Sequence, residues 1–166
     1  DVLLLHKRSS VFTWIAKYAL RRADLVLATG RFLAEETKKV GPALNVTFTP
    51  FGIDLTRFCP AVGHDETEST GPLVGCVKNL RRLSGIDYLL KAVPLVLDKC
   101  PAAQFVIVGS PHGAGEKEIE RELKESVSSS GLENHVRFQP AVPHSEMPRL
   151  LSILRVLALP SLSEAF

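Results

Sequence analysis

Hydrophobic and polar positions change period several times along the chain. Phe12, Ile15, Ala16, Ala19 and Leu20 fall on one face at helical spacing. Arg21 and Arg22 follow, in the last turn of that helix, where cations suit its dipole. “DLVLATG” (24–30) then reads as a short buried strand, and “RFLAEETKKV” (31–40) as a second helix stopped by Gly41-Pro42. “NVTFTP” (45–50) alternates in polarity as a strand does.

Residues 60–72, “PAVGHDETESTGP”, break the pattern. They are polar and acidic, with Gly and Pro at both ends, and read as a linker between two domains. Beyond them the alternation is regular. “LVGCV” (73–77), “QFVIVGS” (104–110), “HVRFQP” (135–140) and “RVLALP” (155–160) are predicted strands, the first and last of them buried in a core. Between them lie three predicted helices. “GIDYLLKAVPLVLDKC” (85–100) carries a stripe through Leu89, Leu90, Val93 and Leu97 and a kink at Pro94. “GEKEIERELKESVSSSG” (115–131) is charged and mostly solvated, with Gly131 as its C-cap, and “HSEMPRLLSIL” (144–154) is the third. Strands alternating with helices imply βαβ units, a parallel sheet and an α/β fold.

Composition narrows the function. A chain of 166 residues, 45% hydrophobic, can hold one packed domain or parts of two. The net charge of +2 comes from interspersed acids and bases, and aromatics make up 7% without basic interleaving, so no nucleic-acid surface is expected. Cys59, Cys76 and Cys100 are odd in number and widely spaced. That argues against a disulfide framework and a zinc site and suits a reduced, cytoplasmic setting. His6, His64, His135 and His144 form no metal spacing with any acid, and His112 reads as a surface residue. Neither a P-loop nor a G-x-S-x-G elbow is present.

In an open α/β sheet, ligands bind at the carboxyl ends of the strands. Those ends hold Gly52 and Asp54, the loop Lys78–Gly85, the Gly-rich stretch 109–115, residues 140–144, and “PSLSEAF” (160–166). Lys78, Arg81 and Arg82, beside a helix that starts at Gly85, suit a phosphate or a solvated loop equally. Glu164 lies directly beyond a core-like strand, and its small neighbours Ser163 and Ala165 let backbone come near a ligand. An end at this point reads as a cut through a site, and “DVLLLHKRSS”, with neither an initiator Met nor a signal-peptide pattern, reads as a second cut.

The order of these stretches resembles family 4 of the glycosyltransferases, the retaining GT-B group. Six pieces carry the likeness: “RRADLVLATGRFLAEET”, “TPFGIDLTRFCP”, “SGIDYLLKAVPLV”, “FVIVGS”, “VRFQPAVPHSEMPRLL” and “LALPSLSEAF”. The resemblance implies a GT-B fold with parts of two Rossmann-like domains, truncated at both ends. Residues 1–59 would close the acceptor-side domain, and 73–166 would begin the donor-side one. It also implies transfer of a sugar, with retention, from a nucleotide sugar such as a UDP- or GDP-sugar to a glycan, lipid or small-molecule acceptor. Glu164 would contact the donor sugar as the catalytic residue, with Ala165 and Phe166 lining it. Lys78, Asn79, Arg81, Arg82, Gly85 and Gly109 would hold the donor, and Gly52 and Asp54 would border the inter-domain cleft. No metal or other cofactor is implied, since cations and a helix N-terminus offset the leaving diphosphate and no Asp-x-Asp is present. The implied location is cytoplasmic, with peripheral contact at the inner face of the cell membrane open to the full-length protein. A second carboxylate that binds the ribose would follow Phe166, so the isolated fragment is expected to be inactive.

Departures from the family pattern stand beside the likeness. Lys78-Asn79 replaces Gly-Arg, Ser84 replaces a Lys before Gly85, Phe51 replaces an Asn, and Arg155 an acid. Those at Asn79 and Ser84 favour an inactive nucleotide-binding fragment of the same fold; a sugar-nucleotide epimerase and a flavodoxin-like binding module are the other readings.

Overall fold

The computed structural model describes residues 10–41, 43–59 and 71–163, without the side chain of Phe12. The chain divides into two compact units between Ile53 and Asp54. Most of the expected linker, residues 60–70, lies outside the described residues.

The first unit holds α1 (Ser10–Arg22), β1 (Val26–Ala28), α2 (Arg31–Val40) and β2 (Val46–Phe48). β1 and β2 pair in parallel, Val26 opposite Val46 and Ala28 opposite Phe48, so α2 is a crossover connection. Helix α2 stops at Gly41, as the sequence predicts. The expected burial is only partly met. Ala28 is buried, but Leu27 is 60% exposed and Ile15, on the predicted apolar face of α1, is 49% exposed. The described part of the ladder has two short strands, too few to enclose both faces of a sheet. Trp14 and Tyr18 stack at 5.8 Å on α1, and Arg22 lies over the Tyr18 ring.

The second unit holds β3 (Leu73–Val77), α3 (Ile86–Leu97), β4 (Gln104–Val108), α4 (Ala114–Ser129), β5 (Val136–Gln139), α5 (Met147–Ser152) and β6 (Val156–Leu157). Its four strands run parallel in the order β5-β4-β3-β6. Alternation along β4 supplies both layers of core. Phe105 and Ile107 pack with Cys76, Leu90, Val93, Leu123 and Val127 under α3 and α4. Val106 and Val108 pack with Leu150 of α5 on the other face. A sheet covered on both faces explains why “FVIV” is apolar throughout.

Helix ends follow local chemistry. Gly131 has φ +66°, and the Leu132 N–H reaches back to the Val127 carbonyl at 3.0 Å while the Gly131 N–H reaches Ser128 at 3.1 Å. This Schellman arrangement closes α4 and buries Leu132 and Val127 in one cluster. Helix α3 continues through Pro94, which is exposed and whose carbonyl accepts from the Asp98 N–H at 3.0 Å. Strand β6 differs from its expectation as a core strand. It is two residues long, pairs with β3 alone among the described strands, and leaves Val156 51% and Leu157 43% exposed.

Cys76 is fully buried, and burial pushes its thiol up to about 11, with Lys78 opposing only in part. At mildly alkaline pH, iodoacetamide is therefore expected to label the exposed Cys59 while Cys76 stays protected until the unit unfolds. Equal labelling of both in the native protein, read by mass spectrometry, would contradict this packing.

Candidate functional site

The chain moves outward from β3 to β4 to β5, then returns to place β6 on the other side of β3. Strand order therefore reverses between β3 and β6, and the loops at their carboxyl ends flank the crevice where such sheets bind ligands. These are the loop 78–85 and the segment 158–163.

The first loop is built around apolar anchors. Leu80 is 1% exposed and Ile86, just beyond the loop, is 2% exposed, both in the core under α3. Burying one such side chain favours the fixed loop by about 2 kcal/mol. Ser84 is buried too, and its hydroxyl donates to the Asn79 carbonyl at 2.7 Å. The same carbonyl accepts the Arg81 N–H at 2.8 Å. A 3-10 turn over Arg82–Ser84 then ends at Gly85, whose φ of +65° swings the chain into α3. Gly85 also lies against the second loop, since a Cβ there would sit 2.0 Å from the Pro160 carbonyl oxygen. Next along, the Leu162 N–H donates to the Leu83 carbonyl at 2.9 Å. Between these contacts, the Ser161 hydroxyl is buried with no hydrogen-bond partner among the described residues.

Of the predicted site residues, Lys78 and Gly109 meet at the ends of neighbouring strands. A Cβ on Gly109 would lie 2.1 Å from the Lys78 carbonyl oxygen. Lys78 donates its N–H to Val108 at 3.1 Å, extending the ladder. Asn79 is exposed, and its carbonyl is committed within the loop. Arg81 and Arg82 turn instead to α4. The Arg81 Nε donates to Glu116 at 2.6 Å, and Arg82 donates to both oxygens of Glu122 at 2.8 and 2.9 Å. The second oxygen of Glu116 accepts the His112 N–H at 2.7 Å. That amide, with Arg81, holds the Glu116 carboxyl below the usual carboxylate range.

Gly52 and Asp54 are exposed. Asp54 accepts from the Thr56 hydroxyl at 2.6 Å and the Thr56 N–H at 3.0 Å, which lowers its carboxyl below the ordinary range and fixes the turn that follows. Glu164, Ala165 and Phe166 lie outside the described residues. A cavity of about 290 Å³ opens between α3 and α4, lined by Arg82, Ile86, Tyr88, Lys91, Glu122 and Leu162 among others. It lies on the helical side, and none of Lys78, Asn79, Gly109 and Pro160 borders it.

Sequence reasoning did not identify Glu116 or Glu122, which reads as part of a solvated helix, nor Pro160 as the partner of Gly85. The available signal was the apolar side of α4, Ile119 and Leu123, which turns neighbouring carboxylates toward the sheet-end loops.

Comparison with known proteins follows the same outline. The chain is 32% identical over 131 residues to a D-inositol 3-phosphate glycosyltransferase of Corynebacterium jeikeium (strain K411), covering 73% of this chain and 31% of that protein. It is 29% identical over 157 residues to a GDP-mannose-dependent alpha-(1-6)-phosphatidylinositol monomannoside mannosyltransferase of Mycolicibacterium smegmatis, covering 88% of this chain and 40% of that one. Among solved structures it resembles sucrose-phosphate synthase from Thermosynechococcus elongatus, with a TM-score of 0.79 and 24% identity over 97% of this chain and 41% of the other. Anabaena Alr3699/HepE in complex with UDP and glucose gives the same TM-score and identity, over 100% of this chain and 46% of the other. The chain thus spans about a third of the length of the curated relatives it matches. The structural likeness establishes an α/β fold of GT-B type with parallel sheets. The family described as “Glycosyl transferases group 1” matches residues 64–166, more than half of the sequence, and the chain belongs to that family.

Proposed function

We propose that the protein is a family 4 glycosyltransferase that moves a sugar, with retention, from a nucleoside-diphosphate sugar to a glycan, lipid or small-molecule acceptor, and that its second unit holds the donor. The observation that carries this reading is the β3/β6 crevice, where Gly85 starts α3 beneath the Pro160 carbonyl and Lys78 stands at the end of β3. A 12-residue helix directs its partial positive end into that crevice. The relatives support the donor class by name, one being GDP-mannose-dependent and one structural neighbour holding UDP and glucose.

Chemically, departure of the diphosphate builds negative charge on its oxygens. Lys78 and the start of α3 offset that charge in this proposal, without a metal ion. Asn79 and the backbone of Gly109 complete the diphosphate seat, while Arg81 and Arg82 stand beside it in the loop 78–85, each paired with a carboxylate of α4. Glu164 contacts the transferred sugar, Ala165 and Phe166 line it, and Gly52 and Asp54 border the crossing between units. No helix among the described residues is long and apolar enough to cross a membrane. A cytoplasmic location, with peripheral membrane contact for a lipid acceptor, belongs to the same proposal.

Lys78→Ala in the full-length protein is expected to weaken binding of UDP or GDP about 10- to 100-fold, the range for losing a charge-assisted hydrogen bond. Its unfolding midpoint should stay within error of wild type. Calorimetric titration that finds equal affinity for both proteins removes Lys78 from the site. A second reading, an inactive nucleotide-binding protein of this fold, draws on the commitment of Ser84, Arg81 and Arg82 to protein partners. It predicts nucleotide binding with no sugar transfer to any acceptor.

A further inference from the structure

Three loops leave the carboxyl ends of adjacent parallel strands β3, β4 and β5, and a short chain of hydrogen bonds joins them. The β3 loop offers the Arg81 guanidinium, and the β4 loop offers the His112 N–H. Both end on Glu116, one on each carboxylate oxygen, at 2.6 and 2.7 Å. From the same β4 loop, the Ser110 hydroxyl accepts the N–H of Ala141 in the β5 loop at 2.9 Å. Closer to the sheet, Gly109 and Lys78 touch through backbone.

Glu116, like Glu122 with its bond to Arg82, is unlike the other acids of α4. Glu118, Glu120 and Glu125 pair with Arg121 or Lys124 on the same helix, the ordinary pattern of a solvated face. Glu116 reaches 35 residues back along the chain, and its side chain is 16% exposed while that of Arg81 is 60% exposed. The stretch 109–113 begins and ends with glycine, and none of its side chains lies in the buried core. A carboxylate that takes one donor from each of two loops sets their separation, and a single neutral acceptor oxygen cannot do so in the same way.

We infer that Glu116 is a positioning residue for the donor site: by clasping Arg81 and the His112 amide it holds the β3 and β4 loops at the spacing that lets Lys78 and the Gly109 backbone meet one diphosphate. Arg81 is then a strut whose charge is used within the protein. The inference rests on the donor reading above.

The test compares Glu116→Ala, Glu116→Gln and, as a control on the same helix, Glu118→Ala in the full-length protein. Hydrogen exchange at the His112 amide reads the clasp directly and needs no ligand. Calorimetry with UDP and GDP reads its consequence. In Glu116→Ala, exchange at His112 should speed up about tenfold or more as the loop opens locally. Nucleoside-diphosphate affinity should fall roughly five- to tenfold with the unfolding midpoint unchanged. Glu116→Gln, which keeps one acceptor oxygen, should fall between, and Glu118→Ala should match wild type. Unchanged His112 exchange in Glu116→Ala overturns the clasp. Faster exchange with unchanged affinity overturns the positioning role. A wild-type protein that binds neither diphosphate overturns the donor reading and the positioning role with it, whatever the exchange rates show.

Discussion

Gly85→Ala should destabilise the protein by about 2–4 kcal/mol, and Gly131→Ala by only about 1 kcal/mol, although both glycines share the same backbone conformation. Their φ angles are +65° and +66°, so alanine meets the same left-handed strain at each, on the order of 1–2 kcal/mol. What differs is the surroundings. At Gly131 nothing lies within 4 Å of the added methyl, whereas at Gly85 it would sit 2.0 Å from the Pro160 carbonyl oxygen and 2.8 Å from its carbon. These are backbone atoms, and the segment that carries them is tied down two residues later by the Leu162–Leu83 hydrogen bond. The chain must therefore move 160–162 away from α3, which opens the crevice. Equilibrium urea unfolding of both variants measures the difference. Nucleoside-diphosphate affinity should fall for Gly85→Ala and hold for Gly131→Ala. Equal destabilisation of the two would mean that the β6 loop does not rest on Gly85.

Much of this arrangement was legible in the sequence, and the exceptions share a cause. Strand β3 occupies the five residues read from “LVGCV”, and α4 closes at Gly131 as its composition predicts. Such signals are local: an apolar run, a glycine after a charged helix, an alternation of periods. The parallel order of the strands followed from alternation with helices. Burial was less legible, because it depends on what covers an element. The run 155–160 is as apolar as β4, yet β4 lies between two strands and β6 lies beside one among those described. Partners far apart in sequence were least legible. In the sequence Arg81 and Arg82 suit a phosphate or a solvated loop equally, because a strand end precedes them and a helix start follows. Their carboxylate partners stand 35 and 40 residues later, on a helix whose charges looked solvated. Ser84 stands where the family resemblance implies a lysine, and its hydroxyl, turned inward to Asn79, helps shape the loop instead.

Gly109→Ala is expected to cost about 2–3 kcal/mol, while Gly113→Ala in the same Gly-rich stretch should be nearly neutral in stability. A methyl on Gly109 would lie 2.1 Å from the Lys78 carbonyl oxygen, 3.2 Å from its carbon and 3.5 Å from the Leu80 side chain. Retreat is blocked on the far side, where the Gly109 N–H bonds the Gln139 carbonyl at 3.0 Å. The ends of β3 and β4 must then separate, or Leu80 must leave the core. Either movement displaces Lys78, so nucleoside-diphosphate affinity should fall along with stability. Gly113 and Gly115 have open space around them. Gly115 lies inside α4, where alanine should add roughly 0.5–1 kcal/mol of stability by lowering the entropy of the unfolded chain. The three substitutions therefore separate two uses of glycine that a sequence motif cannot distinguish. If Gly109→Ala alone lowers stability and affinity together, the motif begins with a packing requirement between strands. If Gly113→Ala lowers affinity with stability intact, backbone approach to the nucleotide is a second, independent requirement of the same loop. A neutral Gly109→Ala in urea unfolding would place the two strand ends farther apart than the contact with Lys78 allows.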